Sequence, residues 1–339
     1  MNRKDDHIKL TLVQQPQNND FDKIRFIHNG VNLTSLSEVD LSTMICNKIL
    51  KYPIFINAMT GGSKLAKEIN NKLSLIANHF NIPIASGSLS IALKDSIYED
   101  SFTIIRDNNK DGIVISNIGA DKTVKDALRA IRMLNADILQ IHINKAQELI
   151  MPEGERDFKN WQNNIKSIIE EVDIPVIVKE VGFGMSRKTI DTLKGLGVKT
   201  VDISGKGGTN FAKIENARRE KSIPYLNDWG LSTVESLLEA SGINDIEILA
   251  SGGIRNALDI VKSLALGANA VGLSSYFLKL VTNKNIDEAI KEVEGLFSEI
   301  KIIMTMLGCN KINDLRDVEL IFDESLYSFI QQRKIEKFI

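Results

Sequence analysis

Two glycine-rich turns in the last third of the chain could bind a phosphate group. Ser251-Gly-Gly253 ends one short apolar run, and Gly272-Leu-Ser-Ser275 ends the next. A strand that ends in such a turn leaves backbone N–H groups unpaired, and the following helix points the positive end of its dipole at them. Two consecutive strands of this kind are typical of the phosphate site after strands 7 and 8 of a (β/α)8 barrel. The alternative is that both are tight turns without a ligand.

Lys179 is the second residue whose position indicates chemistry. It ends the nearly continuous apolar run 174–178. A lysine that points into a barrel is costly unless it meets a negative partner, and the alternative is an ammonium that reaches solvent along its aliphatic stem. Its chemistry would be that of a Schiff base or of a cation facing an electron-rich cofactor. Because a reduced flavin is anionic near N1, the two phosphate-suited turns favour the second interpretation.

The densest polar cluster runs from His142 to Glu148 and includes Asn144 and Gln147. Magnesium often takes one or two carboxylates and completes its shell with phosphate oxygens and water. Glu148 is therefore the best candidate for a Mg²⁺ ligand. The alternative is that Glu148 is a surface residue in a loop.

Two segments could cover such a site. Arg3, Lys4 and His7 are three potential cations near the N-terminus, and they form either a solvated terminus or a basic cover over an anionic substrate. A long insertion from 209 to about 230 contains Glu215. We expect this insertion to be an active-site lid, since long loops in compact barrels commonly have that role.

The elements that must position these residues alternate along the chain. Short apolar runs predict eight strands, at 54–57, 82–85, 112–116, 138–141, 176–178, 200–203, 246–250 and 270–273. Amphipathic stretches predict helices at 63–79, 124–134, 161–172, 187–196, 233–240 and 258–266. This alternation predicts an α/β protein with a parallel (β/α)8 TIM barrel, whose active site lies at the C-terminal ends of the strands. A doubly wound open sheet is the alternative.

Length and composition limit the remaining possibilities. The 339 residues predict one domain, 1–339, with a polar, irregular lead-in over 1–50, an extended segment near 24–27 and helical additions from about 275. The net charge of −2 gives no general argument for nucleic acid or an anionic membrane. The two cysteines suggest neither a disulfide framework nor a metal cluster. No apolar run suggests a signal peptide or a membrane span, so the expected location is cytoplasmic.

A series of motifs follows in order from residue 3 to about residue 275. It comprises Arg3-Lys4…His7, Met59-Thr-Gly-Gly62, Ser86-Gly-Ser88, Asn117-Ile-Gly-Ala120, His142-x-Asn-x-x-Gln-Glu148, Pro152-Glu-Gly154, Val178-Lys-Glu-Val-Gly182, Ser204-Gly-Lys-Gly-Gly-Thr-Asn210 and Ser251-Gly-Gly-Ile-Arg255. Together these motifs resemble those of type 2 isopentenyl-diphosphate isomerases. The resemblance implies an FMN-binding barrel that interconverts isopentenyl diphosphate and dimethylallyl diphosphate for isoprenoid biosynthesis. It also implies reduced FMN and Mg²⁺ as cofactors, NAD(P)H as reductant, and a homo-oligomer, either a tetramer or an octamer.

The resemblance also implies roles for individual residues. The substrate diphosphate would be bound by Arg3, Lys4, His7, His142, Asn144 and Gln147, with Glu148 on the metal. FMN would be bound by Ala58, Met59, Thr60, Ser88, Asn117, Lys179, Ser204, Thr209, Gly253, Arg255, Leu273 and Ser274. Three residues depart from the family pattern: Leu89 stands where a glutamine is common, Met151 where a glutamine is usual, and Phe211 where many members have tryptophan. By the resemblance, the first two would lie near the substrate.

The implied reaction adds a proton to C4 of an unactivated alkene and removes one from C2. Ordinary carboxylates are poor acids for that task, and the sequence shows no obvious acid–base pair. We expect the reduced flavin to supply the proton-transferring nitrogens, with Lys179 holding it in its active charge state. Gln147 and Glu215 are the nearest protein candidates for an auxiliary catalytic role.

Three other functions compete with this interpretation. A flavin-dependent 2-hydroxy-acid oxidase needs a histidine base after the later strands, and no histidine follows His142. An IMP-dehydrogenase-like barrel needs a nucleophilic cysteine after strand 6, whereas the cysteines are Cys46 and Cys309. The third is a non-catalytic barrel that binds a phosphate ligand. The alternative closest to the main prediction is an FMN-dependent oxidoreductase acting on another small anionic substrate.

Overall fold

The computed structural model of the protein describes residues 3–14 and 19–338, with side chains from residue 8 onward. Its strands in chain order are β1 (Ile24–Phe26), β2 (Thr43–Ile45), β3 (Lys48–Leu50), β4 (Ile54–Ile56), β5 (Ile84–Ala85), β6 (Val114–Gly119), β7 (Ile138–His142), β8 (Val176–Lys179), β9 (Thr200–Asp202), β10 (Glu247–Ser251), β11 (Ala270–Leu273) and β12 (Leu320–Phe322). Strands β4 to β11 form a closed barrel in which β11 pairs in parallel with β4. Each of these eight strands overlaps one of the predicted strands, so the barrel prediction is confirmed.

The helices surround this barrel. They are α1 (Arg3–Val13), α2 (Lys64–Phe80), α3 (Ser90–Lys94), α4 (Asp100–Asn108), α5 (Val124–Leu134), α6 (Lys145–Ile150), α7 (Trp161–Glu171), α8 (Arg187–Gly195), α9 (Phe211–Ala217), α10 (Thr233–Ala240), α11 (Ala257–Ala265), α12 (Ser275–Asn283), α13 (Ile286–Leu307) and α14 (Glu324–Arg333). All six predicted helices are present. A membrane-spanning helix would have to be longer and more apolar than any found in the described residues.

The helix ends follow from local sequence. Helix α5 begins after Thr123, whose side chain accepts a hydrogen bond from the Asp126 N–H while the Asp126 side chain accepts one from the Thr123 N–H. This reciprocal pair satisfies two of the amide groups that a helix N-terminus leaves unpaired. The same helix ends at Asn135 in the left-handed conformation, which asparagine tolerates better than most residues.

The two ends of the chain differ from the sequence-based expectation. The lead-in was expected to be irregular, but it begins with helix α1, whose Ile8 is buried in the main core. The C-terminal additions were expected to be helical, but they also contain β12, which pairs antiparallel with β1. The partner of β12 lies at the other end of the chain, so no neighbouring segment marks this pairing. The extended segment near 24–27 is confirmed as β1.

The β2–β3 hairpin closes the N-terminal end of the barrel. Its Ile45 and Leu50 belong to the same apolar cluster as the inward-facing barrel residues, among them Phe55. The backbone N–H of Cys46, in the hairpin turn, donates to the Glu247 carboxylate over 2.9 Å. The hairpin therefore makes this end of the barrel a packed core and leaves the opposite end for a ligand.

The β2–β3 hairpin is called the hairpin plug below. The next layer of inward-facing side chains, toward the C-terminal ends of the strands, is polar. Because successive side chains on a strand point to opposite faces, residues two positions after the apolar inward-facing ones also point into the barrel. In this structure that second layer contains Asn57, Asn117, Gln140, Lys179, Asp202 and Ser251, all buried. A polar floor thus lies directly beneath the C-terminal mouth of the barrel.

The hairpin plug generates a stability prediction. Leu50 is 1% exposed, whereas Ile49, the next residue back, is 81% exposed on the outer face of the same strand. Leu50→Ala should lower the free energy of unfolding by about 2–5 kcal/mol, because it leaves a cavity in the plug. The matched control Ile49→Ala should change it by less than about 0.5 kcal/mol. Urea denaturation followed by circular dichroism measures both, and equal effects would show that the hairpin does not seal the barrel.

Candidate functional site

A cavity of about 570 Å³ opens at the C-terminal ends of the barrel strands. This is the face predicted from the sequence, and its volume is within the range of small-ligand sites. Most of the predicted site residues line it, namely Ala58, Met59, Thr60, Ser88, Asn117, His142, Asn144, Gln147, Glu148, Lys179, Ser204, Thr209, Gly253, Leu273 and Ser274. The side chains of Arg3, Lys4 and His7 lie outside the described part of the chain, although their backbone begins α1.

One end of the cavity is formed by two glycine turns packed backbone to backbone. A Cβ atom on Gly208 would lie 2.6 Å from the backbone nitrogen of Gly253. Gly253 itself has a φ of +73°, and a Cβ atom there would lie 2.6 Å from the carbonyl carbon of Gly207. Side chains are therefore excluded, and the backbone amides can approach a ligand directly. The N-termini of α11 and α12 follow the second turn and the turn after β11, as expected for a phosphate site.

Arg255 lies beside this end but on an adjoining cavity of about 430 Å³. Its guanidinium contacts Asp22 at 2.6 Å and Asp259 at 2.8 Å. These two carboxylates hold the pKa of Arg255 above its usual range. Arg255 thus connects the N-terminal segment to the phosphate-suited turn, and its predicted contact with a cofactor stays a prediction.

Lys179 places a buried cation in the polar floor. It is 6% exposed, and its ammonium donates a hydrogen bond to the Glu180 carbonyl oxygen over 2.5 Å. Burial lowers the pKa of Lys179, while the charges of Asp202 and Glu180 act in the opposite direction. Asp202 is its register neighbour on β9. A lysine snorkelling to solvent, the alternative considered from sequence, is thereby excluded.

The opposite end of the cavity is built on α6. Asn144, directly before this helix, donates a hydrogen bond to Glu148 over 2.8 Å. The backbone N–H of Glu155 donates to the other oxygen of Glu148, also over 2.8 Å. The carboxylate is thus held at the rim of the cavity. The described residues include no group of three or more histidine, cysteine or acidic side chains suited to a metal ion, so an ion here would need ligand oxygens from a substrate or water.

The insertion at 209–230 folds over this second end. It contains α9 and a short 3-10 turn at Pro224–Leu226, so it is an ordered cover rather than a structureless loop. Helix α9 buries Glu215 completely. The Gln147 side-chain amide donates to Glu215 over 2.9 Å, and Arg218 pairs with the same carboxylate at 2.6 Å. The two predicted auxiliary residues are therefore in contact, although a closing motion of this cover stays a prediction.

Several lining residues were not anticipated from sequence. Thr11 of α1 lines both cavities. Asp121, Lys122 and Trp161 line the larger cavity. They lie in loops and helices without a recognisable motif, so no local pattern marked them. The polar floor, by contrast, could have been found from the alternation within each predicted strand.

The three departures from the family pattern occupy different environments. Leu89 is fully buried in the main apolar core. Met151 and Phe211 line the cavity near the second end. Leu89 therefore acts through packing, whereas the other two form part of the ligand-facing surface.

The two cysteines lie far from the expected position of a nucleophile. Cys46 is in the hairpin plug at the other end of the barrel, and burial raises the pKa of its thiol to about 12. Cys309 follows α13, and burial raises the pKa of its thiol to about 11. Since the thiolate is the nucleophile, neither residue supports covalent chemistry through a cysteine.

Comparison with known sequences adds a family relationship to this geometry. The family model described as FMN-dependent dehydrogenase matches residues 139–321. An isopentenyl-diphosphate delta-isomerase from Staphylococcus haemolyticus is 47% identical over 338 residues, covering 98% of this chain and 97% of the relative. The enzyme of the same name from Staphylococcus saprophyticus is 48% identical over 337 residues, with the same coverage.

Solved structures show the same fold at low sequence identity. A mandelate oxidase mutant with a monooxide FMN adduct has a TM-score of 0.65 and 15% identity, covering 92% of this chain and 94% of that chain. A mutant flavocytochrome b2 with benzoylformate has a TM-score of 0.68 and 19% identity, covering 94% of this chain and 79% of that chain. At these identities the likeness shows the fold alone.

The packed glycine turns generate a binding prediction. Gly253→Ala should weaken FMN binding about tenfold or more, because the added methyl group forces the two turns apart and strains a left-handed residue. Gly267→Ala is the matched control: Gly267 has a φ of +113°, but nothing lies within 4 Å of its added Cβ atom. Titration of flavin fluorescence measures both affinities. If both variants bound FMN equally well, the turn at Gly253 would not be the phosphate site.

Proposed function

The chain belongs to the isopentenyl-diphosphate delta-isomerase family, and from this premise we propose that it interconverts isopentenyl diphosphate and dimethylallyl diphosphate with reduced FMN, for isoprenoid biosynthesis. The observation that carries the proposal is the presence of two separate anion-suited regions in one cavity. The packed turns at Gly208 and Gly253 form one. His142 and Asn144 form the other, where Glu148 would bind the diphosphate through a Mg²⁺ ion rather than directly. One phosphate ester and one diphosphate could thus occupy opposite ends of the barrel mouth.

The residues between these regions fit a flavin. The Thr60 hydroxyl is buried without a hydrogen-bond partner in the described structure, and Thr60 is one of the residues that line the cavity. A polar ring edge would satisfy it, since buried polar groups are nearly always paired. These residues would hold reduced FMN, whose ring nitrogens would supply the proton-transfer chemistry. The buried ammonium of Lys179 would stabilise negative charge on the ring edge nearest the polar floor.

The diphosphate end would be organised by α6. His142 and Asn144 would hold phosphate oxygens, and Glu148 would supply a single carboxylate to Mg²⁺, whose shell the diphosphate and water complete. One carboxylate is enough for such an ion, so the absence of a larger acidic group among the described residues is compatible with this role. Mg²⁺ binding is part of the proposal.

The protein's own contribution to proton transfer would be made by Gln147 and Glu215. Their contact places a fully buried carboxylate beside a cavity-lining amide. Glu215 does not line the cavity itself, so it would act through Gln147 or through a bound water. Helix α9 would also keep bulk water from the reacting carbons, which matters because a carbocation-like state is quenched by water.

Helix α1 would cover part of the barrel mouth, where it packs against α12 and α2. Ile8 and Thr11 line the larger cavity, so the helix lies against the mouth of the barrel. Its first turns contain Arg3, Lys4 and His7, and we propose that these cations meet the diphosphate. The net charge of the protein is −2, so its overall charge does not attract an anionic substrate. These local cations would neutralise the negative charge of the diphosphate.

A 2-hydroxy-acid oxidase would need a histidine base after one of the later strands. Among the described histidines, His142 is the one that lines the cavity, and it ends β7 rather than following a later strand. The likeness to mandelate oxidase and flavocytochrome b2 extends to the fold alone. NAD(P)H as reductant, a cytoplasmic location and a homotetramer or homo-octamer stay predictions.

An omission series tests the function directly. The purified protein is incubated anaerobically with isopentenyl diphosphate, FMN, Mg²⁺ and NADPH or dithionite, and dimethylallyl diphosphate is measured by NMR. We expect product in the complete mixture and none without FMN, without Mg²⁺ or without reductant. Flavin binding and bleaching without product would retain the flavin barrel but refute the isomerase.

The charge of Lys179 can be tested separately. Lys179→Met should lower kcat by about 10²–10³-fold, the loss typical of one preorganised electrostatic group. It should also make the flavin harder to reduce, because the anionic form loses its cation. Lys206→Met is the control, since Lys206 is on the same face but outside the cavity lining and donates to the Asp228 carbonyl. Wild-type kcat and flavin potential in Lys179→Met would contradict the proposed role.

A further inference from the structure

A chain of buried hydrogen bonds crosses the barrel beneath the cavity and ends at His142. Asp202 contacts Asn57 at 2.6 Å, Asn57 contacts Gln140 at 3.3 Å, and Gln140 contacts Asn117 at 2.7 Å. The Asn117 oxygen then lies 2.8 Å from Nδ1 of His142. The first four side chains are at most 2% exposed, and they come from β6, β7, β9 and the residue after β4.

Asp202 fixes which partner donates in each hydrogen bond of this chain. A carboxylate can only accept hydrogen bonds, and Asp202 already accepts from the Ser251 hydroxyl over 2.6 Å. Asn57 must therefore turn its NH2 group toward Asp202. The backbone N–H of Ala58 can only donate, and it contacts the Asn57 side-chain oxygen at 2.8 Å. Both constraints orient the Asn57 amide in the same way.

The orientation then passes from amide to amide. The Asn57 oxygen faces Gln140, so Gln140 must present its NH2 group there and its oxygen to Asn117. Asn117 must in turn donate its NH2 group to Gln140 and present its oxygen to His142. The Asn117 side-chain oxygen can only accept a hydrogen bond. Nδ1 of His142 must therefore donate it, so Nδ1 carries the proton.

We propose that Asp202, Asn57 and Gln140 are positioning residues that fix the tautomer of His142. Neutral His142 then has its proton on Nδ1 and its lone pair on Nε2. None of the three lines the cavity, so they act through Asn117 and His142 without touching a ligand. A Cβ atom at Gly119 would lie 2.3 Å from Asp121 Oδ1 and 3.3 Å from Nε2 of His142, so the Asp121 carboxylate and the imidazole ring both lie against this glycine.

The tautomer has a consequence for substrate recognition, which rests on the proposed function. A diphosphate oxygen needs a donor, and with Nδ1 occupied by the chain, Nε2 can donate only when the ring is doubly protonated. His142 would then bind the diphosphate as a cation, held from behind by Asn117. The neutral ring would present a lone pair and repel the same oxygen.

The proposal is tested by ¹⁵N NMR of the FMN-loaded protein labelled in its histidines. The signals of His142 are assigned by comparison with His142→Asn, and the spectra are recorded at a pH where the ring is neutral. We expect an unprotonated Nε2 and a protonated Nδ1, the opposite of the form that a free histidine side chain prefers in water. An Nε2–H ring would overturn the proposal.

Two substitutions of Gln140 distinguish an effect of the whole hydrogen-bond chain from an effect of Asn117 alone. Gln140→Met keeps the length of the side chain but removes its polar atoms, so Asn117 can turn over and His142 should become a mixture of tautomers. Gln140→Glu presents an acceptor to Asn117 whether it is ionised or protonated, so it should retain the Nδ1–H ring. If His142 in Gln140→Met were entirely the Nδ1–H tautomer, Asn117 would act alone. That result would refute the proposed role of the hydrogen-bond chain.

A kinetic measurement extends the test to the substrate. Gln140→Met should raise KM for isopentenyl diphosphate about tenfold, the scale of one hydrogen bond to a charged group, with a smaller change in kcat. Gln140→Glu should stay near the wild-type KM. An unchanged KM in Gln140→Met would refute the link to substrate binding. The NMR result does not depend on turnover, so a protein that failed to isomerise the substrate would refute the proposed function and leave the tautomer proposal to the spectra.

Discussion

Closure of the barrel through the pairing of β11 with β4 is the constraint on which the rest of the structure depends. This pairing joins the first and last strands of the barrel, so that Asn57 to Thr60 lie beside the turns after β10 and β11. Closure also forces alternate side chains of all eight strands into one interior. The apolar layer, sealed by the β2–β3 hairpin, gives a rigid base, and the polar layer above it becomes the floor of the cavity.

Two of the buried charges of the site have an opposite charge nearby. Lys179 and Asp202 are register neighbours in the floor, and Glu215 is paired with Arg218 in the cover. An isolated buried charge would cost several kcal/mol, about the net stability of a domain. Paired in this way, the charges remain fixed, and fixed charges need no reorganisation when a reaction begins.

The N-terminal segment is fastened to the cofactor end as well as lying over the mouth. Asn19 donates to the Gly253 carbonyl, and the buried Lys262 ammonium donates to the Phe21 carbonyl over 2.7 Å. Gln14 exchanges hydrogen bonds with the backbone of Asn210, at the start of the α9 cover. The phosphate-suited turn, helix α1 and the α9 cover are thereby tied together, so the two ends of the cavity share one set of covering elements.

The sequence alone determined the barrel and the face that bears the site, because strand and helix periodicity and glycine-rich strand ends are local signals. The family motifs in the sequence named fifteen of the residues that line the cavity. The arrangement of the candidate active site also depends on long-range contacts that only the tertiary structure decided. Gln147 meets Glu215 across 68 positions of sequence. Strand β1 finds its partner near the other end of the chain, and the orientation of His142 depends on a carboxylate at Asp202. No local pattern encodes such pairs, since the partners are far apart in sequence and meet only in the folded chain.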